Sequence, residues 1–431
     1  MNITIVTPWF GTERPGGAET LARLMAEALA ARGHHVRVAA TTSRGPLHSW
    51  HSGWFEAGEA PWLHGTQGVA PRLVRFAANR RQRTDYNDLN ARMMARLTVD
   101  LDEEEAWLMG SINSTALLRY LATDAASDVL LVMPYPFGLS YMTCYLYGLR
   151  TVLVPCLHPE GYAVLAHTAE MFARAGGMLF NSPEEQELAL RLHPMIAGKP
   201  MAVAGAGLDD PPPVDLLQLE RWRRTRTDGR PYLLYLGWRD STKGFDFLMH
   251  CYTAMAMAKT SQGLVPPRLL MAGPGQVEIP RALTSCIRDL GYIDDEEKEL
   301  ALASADWLVQ PSRNESFSFV MMEAWRRATP CLVNGLCEVT RGHVERANGG
   351  LWFTNPDDMH AIMTWARLNP TRREALGLLG RDFVRREMRW DTIVPRIEDV
   401  LGAVAEGAGL QRAGAHLKLA APGLAADGLE P

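Results

Sequence analysis

The stretch that decides the fold spans residues 311–330 and has the sequence PSRNESFSFVMMEAWRRATP. A short apolar run at 307–309 precedes it and another at 331–333 follows it, and both are typical of buried strands. Between them, residues 318–328 are predicted to form a helix, which Pro330 would end. Strand, loop, helix and strand in this order build parallel sheets. The chain is therefore predicted to be an α/β protein.

Two carboxylates in this stretch are candidates for ligand contacts. Glu315 lies in the loop, and Glu323 lies two turns into the predicted helix. Unpaired N–H groups and the dipole at a helix N-terminus favour an anion, so the N–H groups of Phe317 and Ser318 are predicted to meet a diphosphate. Glu323 lies in an apolar run, where a buried carboxylate needs a partner. The alternative interpretation is that Glu315 is only an acid at the helix entry and that Glu323 is a chance polar residue.

Composition and charge exclude several classes of protein. The chain has 431 residues, 47% hydrophobic and 22% charged, which is enough for two globular domains and excludes a fibrous or disordered protein. A net charge of -5 weighs against a nucleic-acid partner. The six cysteines show no Cys-x-x-Cys pair, so we expect reduced, buried thiols and neither disulfides nor zinc.

The N-terminus begins with a strand-like run at 3–6, which is too short for the core of a signal peptide. No uninterrupted apolar segment approaches the length of a membrane span. We therefore predict a cytoplasmic protein that meets its substrates from the cytoplasmic side.

The first 40 residues have a Rossmann-like pattern. A predicted strand at 3–7, a glycine loop, an amphipathic helix and a second strand at 36–40 follow one another. The G-x-G-x-x-G fingerprint is absent, which disfavours a nicotinamide or flavin cofactor. Gly16 and Gly17 lie between strand and helix, where ligands gather in such sheets, although a simple tight turn is the alternative.

A basic run follows, and five arginines share it: Arg72, Arg75, Arg80, Arg81 and Arg83. A solvated helix face is the interpretation we favour. The alternative is a patch for an acceptor or for peripheral contact with the cytoplasmic membrane face.

An Asp-x-Asp pattern at 100–102 has the form of a metal-binding motif. The glutamates that follow it indicate a helix start instead, because acids there complement the helix dipole. No cluster with metal-ligand spacing appears elsewhere, so no metal is expected.

Three more buried strands are predicted at 129–133, 151–155 and 178–180. His158 follows the second, at a strand end where ligands bind, although a lone histidine is more often structural. Ser182 is predicted to cap a helix that begins with Pro183.

The second half begins after the stiff segment 211–213, which contains three prolines. A predicted strand at 232–236 leads into the loop 237–244, GWRDSTKG. Arg239 and Lys243, at the end of a buried strand beside flexible glycines, are predicted to clamp a diphosphate. A turn with surface charges is the alternative.

Taken together, these motifs resemble those of the retaining, nucleotide-sugar-dependent glycosyltransferases of family 4, which have the two-Rossmann-domain GT-B fold. The pair Glu315 and Glu323, with seven residues between them after a Pro-Ser, carries the resemblance, as does the Pro-Gly-Gly-Ala-Glu loop at 15–19. The resemblance implies that Glu315 contacts the donor sugar, that Glu323 contacts the nucleotide ribose, and that His158 touches the donor sugar. It also implies that the glycine loop approaches the donor phosphate and the acceptor.

The resemblance extends to the loops after two further strands. Gly273 and Tyr292 lie in loops that frame the nucleotide base in the family, largely through backbone groups. The family usually has an arginine directly after the glycine at 237, whereas this chain has Trp238 there and Arg239 one position later. Residues 334–351 resemble a bacterial branch found in polysaccharide and lipopolysaccharide assembly.

We therefore expect two Rossmann-like domains facing across a cleft, with a C-terminal helix crossing back to the first domain. The expected divisions are an acceptor domain at 1–208, a nucleotide-sugar domain at 209–385, the crossing helix at 386–402 and a mobile tail at 403–431.

The expected function is transfer of a hexose from a UDP- or GDP-sugar to an acceptor hydroxyl, with retention of configuration and without a cofactor. A role in cell-surface polysaccharide or glycoconjugate synthesis follows from the resemblance, with a sugar or a lipid-linked sugar as acceptor. The alternatives are a catalytically silent nucleotide-sugar-binding protein, an inverting transferase and a sugar-nucleotide epimerase. The sequence is silent on the base, the sugar, the acceptor, the linkage and the oligomeric state.

Overall fold

A computed structural model of the chain describes residues 1–11, 16–45, 55–62, 69–80, 85–124 and 126–420, with side chains described as far as residue 409. It contains two mainly parallel sheets. The first has eight strands in the order β3-β4-β2-β1-β5-β6-β7-β8, and β3 alone pairs antiparallel. Its strands are β1 Asn2–Thr7, β2 His35–Thr41, β3 Gly58–Ala60, β4 Arg72–Phe76, β5 Val129–Val132, β6 Thr151–Leu153, β7 Gly177–Phe180 and β8 Met201–Val203.

The second sheet has six parallel strands in the order β11-β10-β9-β12-β13-β14. They are β9 Tyr232–Leu236, β10 Arg268–Ala272, β11 Ile287–Gly291, β12 Trp307–Gln310, β13 Cys331–Asn334 and β14 Gly350–Phe353. The two sheets lie on either side of the division expected at 208/209, which stays a prediction.

Helices connect the strands and cover both sheets. Seven follow strands of the first sheet: α1 Gly17–Ala31, α2 Tyr86–Met94, α3 Leu101–Gly110, α4 Thr115–Thr123, α5 Gly138–Tyr147, α6 Ala166–Arg174 and α7 Pro183–Leu192. Eight follow β8: α8 Leu216–Thr227, α9 Phe245–Ser261, α10 Asp295–Ser304, α11 Phe319–Arg326, α12 Glu338–Ala347, α13 Pro356–Leu368, α14 Pro370–Glu387 and α15 Trp390–Ala420.

The central strands form the core because they are mostly apolar and buried along their whole length. Every residue of β5 is buried, as is every residue of β12 and β13. Strands covered by helices on both faces are continuously apolar in this way, and the apolar runs seen in the sequence have this cause. The predicted α/β class with two Rossmann-like domains is confirmed.

Local capping explains two helix starts that the sequence predicted. Asp100 caps α3 and accepts the N–H of Glu103, whose side chain accepts the N–H of Asp100 in return. Ser182 caps α7, with Pro183 in its first turn. Residues 100–102 are therefore a helix start, as expected from the acids around them.

The helix face that we favoured for the basic run is wrong for its first two arginines. Arg72 and Arg75 lie on strand β4, which pairs with β2, and do not lie on a helix face. Leu73 and the β-branched Val74 fit a pleated strand, and pairing with β2 makes this segment a strand and not a helix. Arg80 is described, whereas Arg81 and Arg83 lie outside the described residues.

Helix α15 crosses back to the first sheet, as expected. Val400 and Val404 pack against Gly177 at the start of β7, where a side chain larger than hydrogen would collide with them. Glu398 accepts a hydrogen bond from His34 at 2.9 Å, next to the start of β2. The backbone of 403–420 continues this helix, and 421–431 lie outside the description. The mobility expected for the tail stays a prediction.

The carboxyl ends of the two sheets face each other across a cleft, and a few contacts bridge it. The side-chain amide of Asn181 donates to Ser316 Oγ at 3.4 Å. Glu184 on α7 pairs with both terminal nitrogens of Arg346 on α12. Within the described residues, no helix combines the length and the apolarity that crossing a membrane requires.

Candidate functional site

The loop after β9 provides the second domain's cation. Gly244 adopts a left-handed conformation with φ 69°, and a Cβ there would collide with the carbonyl of Pro311, so only glycine lets the two loops touch. This contact brings Lys243 to Glu315, with Nζ and Oε1 2.8 Å apart. Burial lowers the pKa of Lys243, but the charge of Glu315 and its hydrogen bond outweigh burial and raise that pKa. Lys243 is therefore charged at neutral pH.

The loop after β6 provides the facing group from the first domain. His158 Nδ1 lies 3.5 Å from Glu160 Oε1, and the hydroxyl of Tyr135 donates to the same oxygen at 2.7 Å. Burial lowers the pKa of His158, but the hydrogen bond and charge of Glu160, with the charge of Glu315, raise it overall. The charge of Lys243 helps to lower the pKa of Glu160. The two domains' groups therefore lie within electrostatic range of each other.

The loop at 314–318 turns sharply into α11. Ser318 precedes the helix in a left-handed conformation, φ 75°, and its hydroxyl accepts a hydrogen bond from Gln310 at 2.9 Å. The Phe317 ring is buried against Gly205 of the first domain and against His343. Both side chains are occupied in packing, so a ligand would meet this loop through its backbone. Contact of these N–H groups with a diphosphate stays a prediction.

Glu323 has a partner that sequence reasoning missed. Lys298 on α10 places Nζ 3.2 Å from Glu323 Oε1 and 3.2 Å from Asp295. Burial lowers the pKa of Lys298, whereas the two carboxylates raise it. The signal was present in the sequence, because a glutamate in an apolar run requires a cation. A ribose would have to share Glu323 with Lys298.

Arg239 has a buried partner that the sequence did not predict, and its contact with a diphosphate stays a prediction. Its guanidinium donates twice to Asp289, at 2.6 and 2.5 Å, and once to the carbonyl of Gly275 at 3.3 Å. The side chain is 2% exposed. A bidentate pair of this kind uses the donors that a diphosphate would need. Arg239 is therefore a buried structural cation that fixes the loop, and the exposed neighbour is Trp238.

The glycine loop at the N-terminus also differs from expectation. Glu19 accepts the N–H of Gly11 at 2.9 Å and that of Gly16 at 2.8 Å, so it joins both ends of the loop. The N–H of Gly16 is thus occupied by Glu19, and contact of Gly16 with a ligand stays a prediction. A Cβ at Gly17 would have open space around it, and contact of Gly17 with a ligand stays a prediction. Residues 12–15 lie outside the description.

Gly273 and Tyr292 lie at neighbouring strand ends, beside the Lys243 loop. The N–H of Gly273 donates to the carbonyl of Gly291 at 2.9 Å, and a Cβ at Gly273 would collide with the carbonyl of Gly237. Tyr292 is largely exposed. Their contact with a nucleotide base stays a prediction.

Sequence reasoning also missed Tyr135 and Glu160. Tyr135 reaches Glu160 from 25 residues away, which no local pattern indicates, whereas Glu160 lies only two residues from its partner His158. In the part of the chain that the structure describes, no three His, Cys, Asp or Glu side chains form a group that could hold a metal ion.

Comparisons with known proteins give the fold a context. Residues 230–366 match the family model "Glycosyl transferases group 1". A phosphatidyl-myo-inositol mannosyltransferase of Mycobacterium tuberculosis is 30% identical over 195 residues, which cover 42% of this chain and 50% of that protein. The match thus spans half the length of the curated relative.

Solved structures match over nearly the whole chain. The α,α-trehalose 6-phosphate synthase of Burkholderia multivorans superposes with a TM-score of 0.66 at 14% identity, covering 94% of this chain and 99% of that one. Anabaena HepE in complex with UDP and glucose gives 0.61 at 13% identity, covering 93% and 99%. At these identities the likeness concerns the fold, which is the GT-B arrangement, and the matched segment 230–366 resembles the glycosyl transferases group 1.

Proposed function

We propose that this protein is a glycosyltransferase that moves a hexose from a nucleoside diphosphate sugar to an acceptor hydroxyl. One observation carries the proposal: Lys243 and Glu315 at one sheet end lie within electrostatic range of His158 and Glu160 at the other, across the cleft. Ligands bind at the carboxyl ends of such sheets. A cation, hydrogen-bonding carboxylates and an imidazole suit a charged diphosphate joined to a polyhydroxyl sugar.

The leaving diphosphate sets the main chemical demand. Negative charge develops on it as the bond to the sugar breaks, and fixed cations and N–H groups in a cleft stabilise that charge. Lys243 is the cation we assign to it, together with the N–H groups at Phe317 and Ser318. Glu315 and His158 would hold sugar hydroxyls, and Glu323, shared with Lys298, would hold the ribose. No metal enters this scheme.

The proposal includes retention of configuration. In that route the acceptor attacks on the face from which the diphosphate departs, so a phosphate oxygen takes the acceptor proton and the protein need not supply a base. His158, already hydrogen-bonded to Glu160, then binds the donor sugar and does not deprotonate the acceptor.

The relatives support the choice of substrate class. The mannosyltransferase acts on a phosphatidyl-inositol, and the HepE structure holds UDP and glucose. We therefore propose a UDP- or GDP-hexose as donor, a sugar or lipid-linked sugar as acceptor, and a cytoplasmic role in polysaccharide or glycoconjugate synthesis. Peripheral contact with the cytoplasmic membrane face is part of the same proposal.

A catalytically silent nucleotide-sugar-binding protein is the second candidate. The pairing of Arg239 with Asp289 favours this second candidate, because one expected cation is then missing from the diphosphate site.

Thermal shift against UDP- and GDP-hexoses, followed by proton NMR of each stabilising donor with and without acceptor sugars, tests these proposals. Binding raises the unfolding temperature. We expect one donor to stabilise the protein and to be consumed, with the anomeric coupling of the product equal to that of the donor. Binding without transfer or hydrolysis would favour the silent protein, an inverted product would exclude retention, and epimerised donor without acceptor would indicate an epimerase. Failure of every donor to bind would overturn the proposal.

A further inference from the structure

A fully buried carboxylate lies behind the His158 loop. Glu185 is the third residue of α7, and it is 1% exposed. A glutamate at this position commonly accepts the N–H of the helix cap, here Ser182. The carboxylate of Glu185 instead accepts the N–H of Leu157 at 2.6 Å and that of Asn181 at 2.5 Å. It therefore binds two segments outside its own helix.

The first of these bonds holds the chain that carries His158. Leu157 directly precedes His158, and Cys156 before it has a left-handed backbone, φ 55°. The chain has left β6 at this point and has no strand partner to fix its direction. The bond from Glu185, 28 residues away in sequence, supplies the missing constraint.

The second bond reaches toward the other domain. Asn181, whose N–H Glu185 accepts, contacts Cys156 Sγ at 3.5 Å and Ser316 Oγ at 3.4 Å through its side-chain amide. Ser316 is the residue after Glu315. One buried carboxylate thus fixes the backbone next to His158 and the backbone of Asn181, whose side chain contacts the loop that carries Glu315.

The energetic cost of this arrangement argues against a purely structural role. Burial raises the pKa of Glu185 to about 7, although the two backbone N–H groups and the charge of His158 act to lower it. An ordinary capping glutamate lies at the surface and carries no such cost. What offsets this cost is that the buried carboxylate holds the loops in a fixed geometry.

We infer that Glu185 is a positioning residue, which holds His158 and, through Asn181, the Glu315 loop at the separation that the reaction requires. The inference rests on the proposed function for its kinetic readout, but its structural readout is independent of activity.

Substitution Glu185→Gln tests it with almost no change of shape. The amide retains one acceptor oxygen and turns an NH₂ group toward a backbone N–H, so one of the two bonds is lost. Misplacement of a reacting group by about 1 Å can cost about 10²-fold in rate. We expect kcat to fall by about 10- to 100-fold while the KM for the donor changes by less than about 3-fold. The control is Glu187→Gln, the same change at an exposed position of the same helix.

NMR of ¹³C-labelled histidine provides the second readout. The His158 signal is assigned by its loss in His158→Gln, and we expect it to shift in Glu185→Gln and not in Glu187→Gln. If Glu185→Gln does not fold, Glu185→Asp, which retains both oxygens on a shorter side chain, is measured in the same way. If the His158 signal shifts in Glu185→Gln but the wild-type protein shows no turnover, the result would support positioning and refute the proposed function. Wild-type kcat and an unmoved signal in a folded variant would overturn the inference.

Discussion

The two sides of the cleft are assembled in different ways. On the second-domain side, Lys243 and Glu315 lie in two loops that follow neighbouring strands, β9 and β12, and each loop is one short continuous motif. On the first-domain side, His158 pairs with Glu160 two residues away. Tyr135 bonds Glu160, and Glu185 bonds Leu157, through long-range contacts. Local motifs therefore identify one side of the site, whereas only the folded chain identifies the support of the other.

The difference also concerns charge. The second-domain side presents a cation whose pKa is raised by its carboxylate partner, and the first-domain side presents an imidazole held by another carboxylate. We expect substitutions on the second-domain side to affect donor binding, and those on the first-domain side to affect the rate of transfer.

The largest effect is expected for Lys243→Ala. Loss of one preorganised group that stabilises a developing charge costs about 10²- to 10³-fold. We expect kcat/KM for the donor to fall by about 10²-fold, measured in steady-state assays. Arg221→Ala, an exposed cation on α8, is the control and should leave kcat/KM unchanged. Wild-type kinetics for Lys243→Ala would remove this residue from the diphosphate site.

A smaller effect is expected for Glu323→Ala. The carboxylate is shared between Lys298 and the proposed ribose, so its loss should raise the donor KM by about 10-fold, roughly 1.4 kcal/mol of binding, with kcat changed less. The comparison donor is the 2′,3′-dideoxyribose analogue of the nucleotide sugar, which should bind wild type and variant equally. A variant that still discriminates between the two donors would place the ribose elsewhere.

The next prediction separates Arg239 from the donor. If its pair with Asp289 is structural, Asp289→Asn should lower the free energy of unfolding by about 1 kcal/mol, a modest value because Asp289 is about one-third exposed. Urea unfolding measures this change. The KM for the donor should stay within about 2-fold of wild type at a temperature where the variant is folded. A large increase in KM with unchanged stability would return Arg239 to the diphosphate site.

The smallest effect concerns pH. Because the pKa of His158 is raised in the folded protein, its protonation stabilises the fold below the unfolded pKa, and this contribution is lost as pH rises through the folded value. The difference in unfolding free energy between wild type and His158→Gln should therefore decrease from pH 6 to pH 8 in urea unfolding. A difference that grows with pH would mean that the imidazole is held neutral.

Much of the fold could be predicted from the sequence because its central strands are buried on both faces and therefore appear as apolar runs. Strand β4 was missed, since its arginines outweighed the Leu73 and Val74 pattern. The helical backbone beyond residue 402 was missed because alanine and glycine content indicates little about where a helix ends.

The site was predictable where the chemistry is local. Lys243 and Glu315 meet because each follows a strand of the same sheet. The sequence does not show that Arg239 pairs with Asp289, 50 residues away, or that the side chain of Glu19 accepts the N–H of Gly16. In both cases a distant or side-chain partner satisfies a group that the sequence presents as free.

The central claim is that Lys243 holds a diphosphate at the cleft. Isothermal titration of wild type and Lys243→Ala with the nucleoside diphosphate and monophosphate of the stabilising base tests it most directly. We expect wild type to bind the diphosphate at least about 10-fold more tightly than the monophosphate, as one strong charge-assisted contact implies, and the variant to lose most of this preference. An equal preference for the diphosphate in both proteins would show that Lys243 does not hold it.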